Sequence, residues 1–173
     1  MSKLKELTWE HHQNAERTAF ARKLLNGITP EEYHTYLYNQ FVIYGSLESL
    51  ANLEGIEGIR RAKKMAADLK ELENEYNIER TPGKIKPATG RYLNYLPTLD
   101  DEELMAHVYV RHFGDMYGGQ MIKKRIPGSG TMYDFEDVET LKTKVRSMLN
   151  DDMAEEANVC FKYATELFEE LND

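Results

Sequence analysis

The 173 residues are 41% hydrophobic and 30% charged, the composition of one ordinary globular domain, residues 1–173, with a core of its own. A formal net charge of −8 argues against general nucleic-acid binding, which needs a basic face, and the single cysteine, Cys160, excludes an internal disulfide and fits a buried spectator thiol in a reducing cytosol. No apolar run near either end suits a signal or a membrane anchor, so the chain is expected to be soluble and cytoplasmic.

Apolar residues recur every three or four positions and no alternating run appears, which predicts an all-α protein. The first helix is expected from Lys3 to Glu16, continuing with a bend to Leu25 before the Asn26-Gly27 stop. Thr29-Pro30-Glu31-Glu32 then combines a cap, a first-turn proline and a returning carboxylate, and starts a helix reaching about Leu53. Gly55 and Gly58 separate it from a polar helix over about Ile59 to Tyr76. After the breakers Pro82, Gly83 and Pro87 comes a short helix near Thr89 to Leu96, ended by Pro97. Asp100 with Glu103 caps a long helix toward Lys124; Pro127-Gly128-Ser129-Gly130 is a loop, and two helices follow, roughly Val138 to Asn150 and Asp152 to Leu171.

Inside the long helix stands Gly114-Asp115-Met116-Tyr117-Gly118-Gly119-Gln120, and each interior glycine costs about 1 kcal/mol relative to alanine. Close helix packing or a helix end is the plain reading, but Met121, Ile122, Lys123 and Lys124 continue the pattern and point to a bent helix. A membrane dimer motif is excluded by Arg111, Asp115 and Lys123, which would lie in the bilayer. A helix thinned to glycine lets its backbone approach a large planar ligand such as haem, with Asp115 able to hold water beside it.

Of five histidines, each alone is more often a packed residue than a ligand. Periodicity slightly favours His11, nearer the centre of the Leu4, Leu7 and Ala15 stripe. A ligating imidazole also needs an acceptor for its other nitrogen, and Glu16 follows His12 by one turn whereas Ala15 follows His11. His12 is therefore the expected iron ligand. Lys5, two turns earlier on nearly the same side, could meet a haem propionate, and Lys142 and Arg146 are also one turn apart; a solvated surface feature is the plain reading of either without the other haem signals.

Through Leu4-Lys5-Glu6-Leu7-Thr8-Trp9-Glu10-His11-His12-Gln13-Asn14-Ala15-Glu16 and Ala106-His107-Val108-Tyr109-Val110-Arg111-His112-Phe113-Gly114-Asp115-Met116-Tyr117-Gly118-Gly119-Gln120 the chain resembles the haem oxygenase family. The resemblance covers most of the chain and implies a helical bundle with haem between a proximal N-terminal helix and a kinked glycine-rich distal helix. It makes His12 the proximal iron ligand, with Glu16 as its partner. Gly114, Gly118 and Gly119 would shape the distal helix, Asp115 would organise distal water, and Tyr44 and Arg111 would support it. Lys5, Tyr109, Lys142 and Arg146 would surround the propionates, and Phe161 would line the pocket. Tyr117 stands where a smaller residue is usual, and Trp9 where a basic one is common.

The implied reaction opens haem, both substrate and cofactor, at the α meso carbon, giving biliverdin, carbon monoxide and ferrous iron. Dioxygen is co-substrate, no other metal is expected, and electrons come from a soluble donor. A ferredoxin is the expected donor, since Lys123, Lys124 and Arg125 could steer an acidic redox protein, and a downstream bilin reductase is a further expected partner; neither nucleic acid nor membrane is. Three rival readings compete with this one. A di-iron oxidase needs repeated Glu-x-x-His elements, and only Glu31-x-x-His34 is present. A haem-buffering protein would keep His12 without needing Asp115, and a plain helical interaction module would bind no haem.

Overall fold

The computed structural model describes residues 2–172 and is all-helical over that range. Near the N-terminus α1 (Leu4–Leu7) and α2 (Trp9–Glu16) are separated at Thr8, whose buried hydroxyl turns back to donate to the Leu4 carbonyl at 2.9 Å. The expected bend before Leu25 is a true break. Thr18 takes extended backbone and its side chain accepts the Ala21 N–H at 3.2 Å, capping α3 (Ala19–Asn26), and Gly27 ends that helix at φ +142°.

The central helix α4 (Pro30–Leu50) starts on the expected Thr29/Glu32 capping box. It ends three residues before the expected Leu53 because Ala51 turns extended and Leu53, Ile56 and Ile59 are buried from a connection that holds only a single 3-10 turn, Glu57–Ile59. Helix α5 (Ala62–Tyr76) likewise begins later than Ile59, since the buried Arg61 guanidinium ties residues 57–61 into a turn. It donates to the carbonyls of Gly58, Ile59, Met132 and Asp134 at 2.7–3.0 Å. Glu48 of α4 supplies the cap that α5 lacks locally, accepting the N–H groups of Arg61 at 2.7 Å and Ala62 at 3.3 Å.

Helix α6 (Pro87–Tyr95) is followed by α7 (Asp101–Val108), whose Asp100/Glu103 capping box is present as expected. One π-helical turn, Tyr109–Phe113, joins α7 to α8 (Gly114–Lys123), so the long helix continues through the glycine segment with its register displaced. The last two helices are α9 (Val138–Ser147) and α10 (Ala154–Leu171). A buried cluster running from Leu4 to Leu167 joins the helices; α10 packs on α2, α3, α6 and α7, while α4 packs on α5. Among the described residues no helix is long and apolar enough to cross a membrane.

Candidate functional site

On α2 the His12 imidazole is 39% exposed and pairs through Nε2 with the Glu16 carboxylate one turn later. The pairing leaves one ring nitrogen free of the carboxylate, and a half-turn of the ring exchanges the two. Phe161 of α10 stacks on the imidazole at 5.2 Å with planes 12° apart, and Trp9 meets it edge-on at 5.5 Å. His11 makes none of these contacts among the described residues.

On α8, Asp115 accepts a 2.6 Å hydrogen bond from the Tyr44 hydroxyl of α4. Burial pushes the Asp115 carboxyl up to about 6, although the Tyr44 hydrogen bond and the charges of His112, Arg61 and Arg111 pull the other way. Burial and the facing Asp115 push the Tyr44 phenol well above its ordinary range, so it stays a donor. Arg111, expected to support this pair, is buried but donates elsewhere, to the Tyr92 hydroxyl at 3.2 Å and to Gln40 Oε1 at 3.4 Å. It reaches Asp115 through charge, not through a hydrogen bond.

Behind Arg111 lies a buried polar chain that sequence reasoning missed. The Tyr92 hydroxyl is 2.5 Å from His107 Nδ1, His107 Nε2 is 2.7 Å from Glu156, and Tyr95 donates to the same carboxylate at 2.6 Å. Cys160 touches this chain, its sulfur 3.7 Å from the Tyr92 hydroxyl. Burial alone would raise its thiol, but Arg111 and His107 bring it down to about 7. On the other side of Tyr44, His112 Nε2 is 2.9 Å from Glu48, and the His112 ring lies 4.8 Å from that of Tyr44. The available signal was the spacing of His107 and Arg111, four apart on an apolar helix, where buried polar groups require partners.

The three glycines of α8 divide. A Cβ at Gly114 or Gly118 would meet nothing within 4 Å, whereas one at Gly119 would come within 2.5 Å of Tyr133 Cδ1. Gly119 therefore departs from its expected place in the ligand face: it is buried, and its missing side chain admits Tyr133. Facing α8, Lys142 and Arg146 of α9 both engage Tyr117, Lys142 with its ammonium 4.0 Å from the ring centroid and Arg146 with a hydrogen bond to the hydroxyl. Lys5 is exposed on α1, and Tyr109 is half-buried with its ring 5.6 Å from Phe113.

Two other sequence features lie outside this arrangement. Lys123 is bound to Asp134, leaving Lys124 and Arg125 as the exposed members of the basic run. His34 is 2.8 Å from Glu73 and Glu31 pairs with Lys84, so the lone Glu-x-x-His element is committed to separate ion pairs. A 430 Å³ cavity lined by Asp101, Met105 and Met153 and a 680 Å³ one lined by Arg17, Thr165 and Phe168 share no residue with the cluster around Asp115.

Residues 1–170 match the family model described as "Heme oxygenase". The chain is 29% identical over 206 residues to the heme oxygenase of Porphyra purpurea, covering 99% of this chain and 86% of that protein. It is 30% identical over 204 residues to heme oxygenase 2 of Mus musculus, covering 98% of this chain and 64% of that one. The heme oxygenase of Leptospira interrogans superposes with a TM-score of 0.82 at 25% identity, covering 96% of this chain and 97% of that chain. Heme oxygenase-2 of a Synechocystis species, solved in complex with heme and NO, superposes with a TM-score of 0.82 at 27% identity, covering 99% of this chain and 84% of that chain.

Proposed function

The chain belongs to the haem oxygenase family, whose reaction is the cleavage of haem to biliverdin, and we propose that it carries out this reaction with His12 and Asp115 as its two working side chains. The residues present fit haem. One imidazole has a carboxylate for one nitrogen and a free second nitrogen, and two helical glycines present bare backbone to open space. Two cations on α9, of which among the described residues only Lys142 has a nearby carboxylate, suit the propionates.

In this reading His12 binds iron through its free nitrogen while Glu16 accepts from the other and fixes the ring; Phe161 packs against the same imidazole. Haem when bound supplies both the metal that activates dioxygen and the ring that is opened. Gly114 and Gly118 let the α8 backbone lie against the porphyrin face and exclude bulk water there. Asp115, oriented by the Tyr44 hydroxyl, holds a water and exchanges a proton with it. A carboxyl near 6 is matched to taking up and returning a proton close to neutral pH. Arg111 contributes positive charge, and Lys5 and Tyr109 belong to the propionate side.

The observation that carries the reading is the Tyr44–Asp115 hydrogen bond beside two glycines that open onto free space. It favours an enzyme over a haem-buffering protein, which has no use for a buried carboxyl of raised proton affinity. The Lys142–Arg146 pair would fix the porphyrin so that the α meso edge is attacked. Electrons would come from a soluble acidic donor, a ferredoxin, docking on Lys124 and Arg125, with the biliverdin passed to a bilin reductase. Haemin titration followed by reductant and oxygen tests this. A Soret band that gives way to biliverdin IXα is expected; haem bound but unconverted would reduce the protein to a haem carrier, and predominance of the β or δ isomer would reject the clamp.

A further inference from the structure

Tyr117 is 53% exposed, immediately before Gly118 on α8, yet it is not idle. Its hydroxyl accepts a hydrogen bond from Nη2 of Arg146, and the Lys142 ammonium lies over its ring. Phe113, one turn earlier, has its ring 5.0 Å away and tilted by 32°, and carries the Arg146 guanidinium 5.5 Å from its centroid. Two cations one turn apart on α9 are thus gathered on one phenol. Their acidic partners are few: Lys142 is 3.6 Å from the 83% exposed Glu139, and Arg146 forms no ion pair among the described residues.

A phenol is a weak substitute for an anion. A carboxylate accepting from the same guanidinium makes a charge-assisted, bidentate contact that a neutral hydroxyl cannot match. We propose that Tyr117 is a positioning residue that tunes affinity: it occupies the Lys142–Arg146 pair before the porphyrin binds and yields Arg146 to a carboxylate of the incoming ligand. This rests on the reading that Lys142 and Arg146 face the propionates. The phenol keeps the two cations converged on α8 and competes with the incoming carboxylate for Arg146, so it weakens binding of carboxylate-bearing porphyrins and leaves a porphyrin without free carboxylates unaffected.

Iron-free protoporphyrin IX and its dimethyl ester separate this from iron ligation by His12. Each is titrated into wild type, Tyr117→Phe, Arg146→Ala and the double variant, with binding read from porphyrin fluorescence. Removing the hydroxyl releases Arg146 from one exposed contact, so Tyr117→Phe is expected to bind protoporphyrin about three- to tenfold more tightly. It leaves the ester unchanged, and its advantage disappears in the Arg146→Ala background. Equal tightening for the ester would show that the side chain merely fills space. That result, a gain persisting without Arg146, or no change in Tyr117→Phe overturns the inference. If wild type takes up haemin normally in the same experiment, such a result leaves the family-based reading standing; failure of wild type to bind either haemin or protoporphyrin overturns both.

Discussion

Replacing Asp115 by Asn should stabilise the haem-free protein, and do so only above acid pH. The unfolded carboxyl ionises near 3.8 and the folded one near 6, so between these values the folded state holds a proton that the unfolded state has released. Stability therefore falls as pH rises through that window, and above it the full cost of a buried charge is present. A change from 3.8 to about 6 corresponds to about 3 kcal/mol at roughly 1.4 kcal/mol per tenfold change in proton affinity. Asp115 keeps some contact with solvent, which brings the expected figure to about 1–2 kcal/mol. Asn preserves shape and an oxygen to accept from Tyr44 but has no charge to bury. Urea unfolding of both proteins from pH 4 to 8 should show coincident stability near pH 4, a gap opening in favour of Asp115→Asn up to about pH 6, and a constant gap beyond. A gap independent of pH, or a variant less stable at pH 7.5, would refute the reasoning.

The divided glycines predict opposite outcomes from one substitution. Gly118→Ala should stabilise the haem-free fold by up to about 1 kcal/mol, because the added methyl meets open space and alanine favours helix, while weakening haemin binding. Gly119→Ala should destabilise by about 1–3 kcal/mol as its methyl meets Tyr133; thermal melts and Soret titrations read both. For the donor surface, Lys124→Glu with Arg125→Glu should slow ferredoxin-driven turnover several-fold and leave haemin affinity unchanged, whereas Lys123→Glu should register mainly as lost stability because Lys123 serves Asp134.

Most of the helical framework was legible in sequence because its boundaries are written in local chemistry: Thr29 with Glu32, Asp100 with Glu103, and Gly27 each act on their own turn. The misplaced ends share a cause. The connection from Leu50 to Ala62 keeps apolar residues at helical spacing, but Glu48 and Arg61 hold it in another shape through partners as distant as Met132 and Asp134. Such non-local hydrogen bonds leave no periodic trace. At the site, Glu16 beside His12 followed from helix spacing, and Asp115 stood out amid its glycines. The Tyr92–His107–Glu156 chain did not, because its members come from three helices and each looks ordinary alone. The role of Gly119 was hidden for the same reason, since Tyr133 lies in a loop folded back from beyond α8.

The central claim is that the His12 imidazole holds the iron. Haemin added to wild type, His11→Ala and His12→Ala, and followed by optical and electron paramagnetic resonance spectra, addresses it most directly. The account predicts nitrogen ligation in the first two and its loss in His12→Ala, with ligation restored by free imidazole. Retention of the wild-type spectrum in His12→Ala, or its loss in His11→Ala alone, would contradict it.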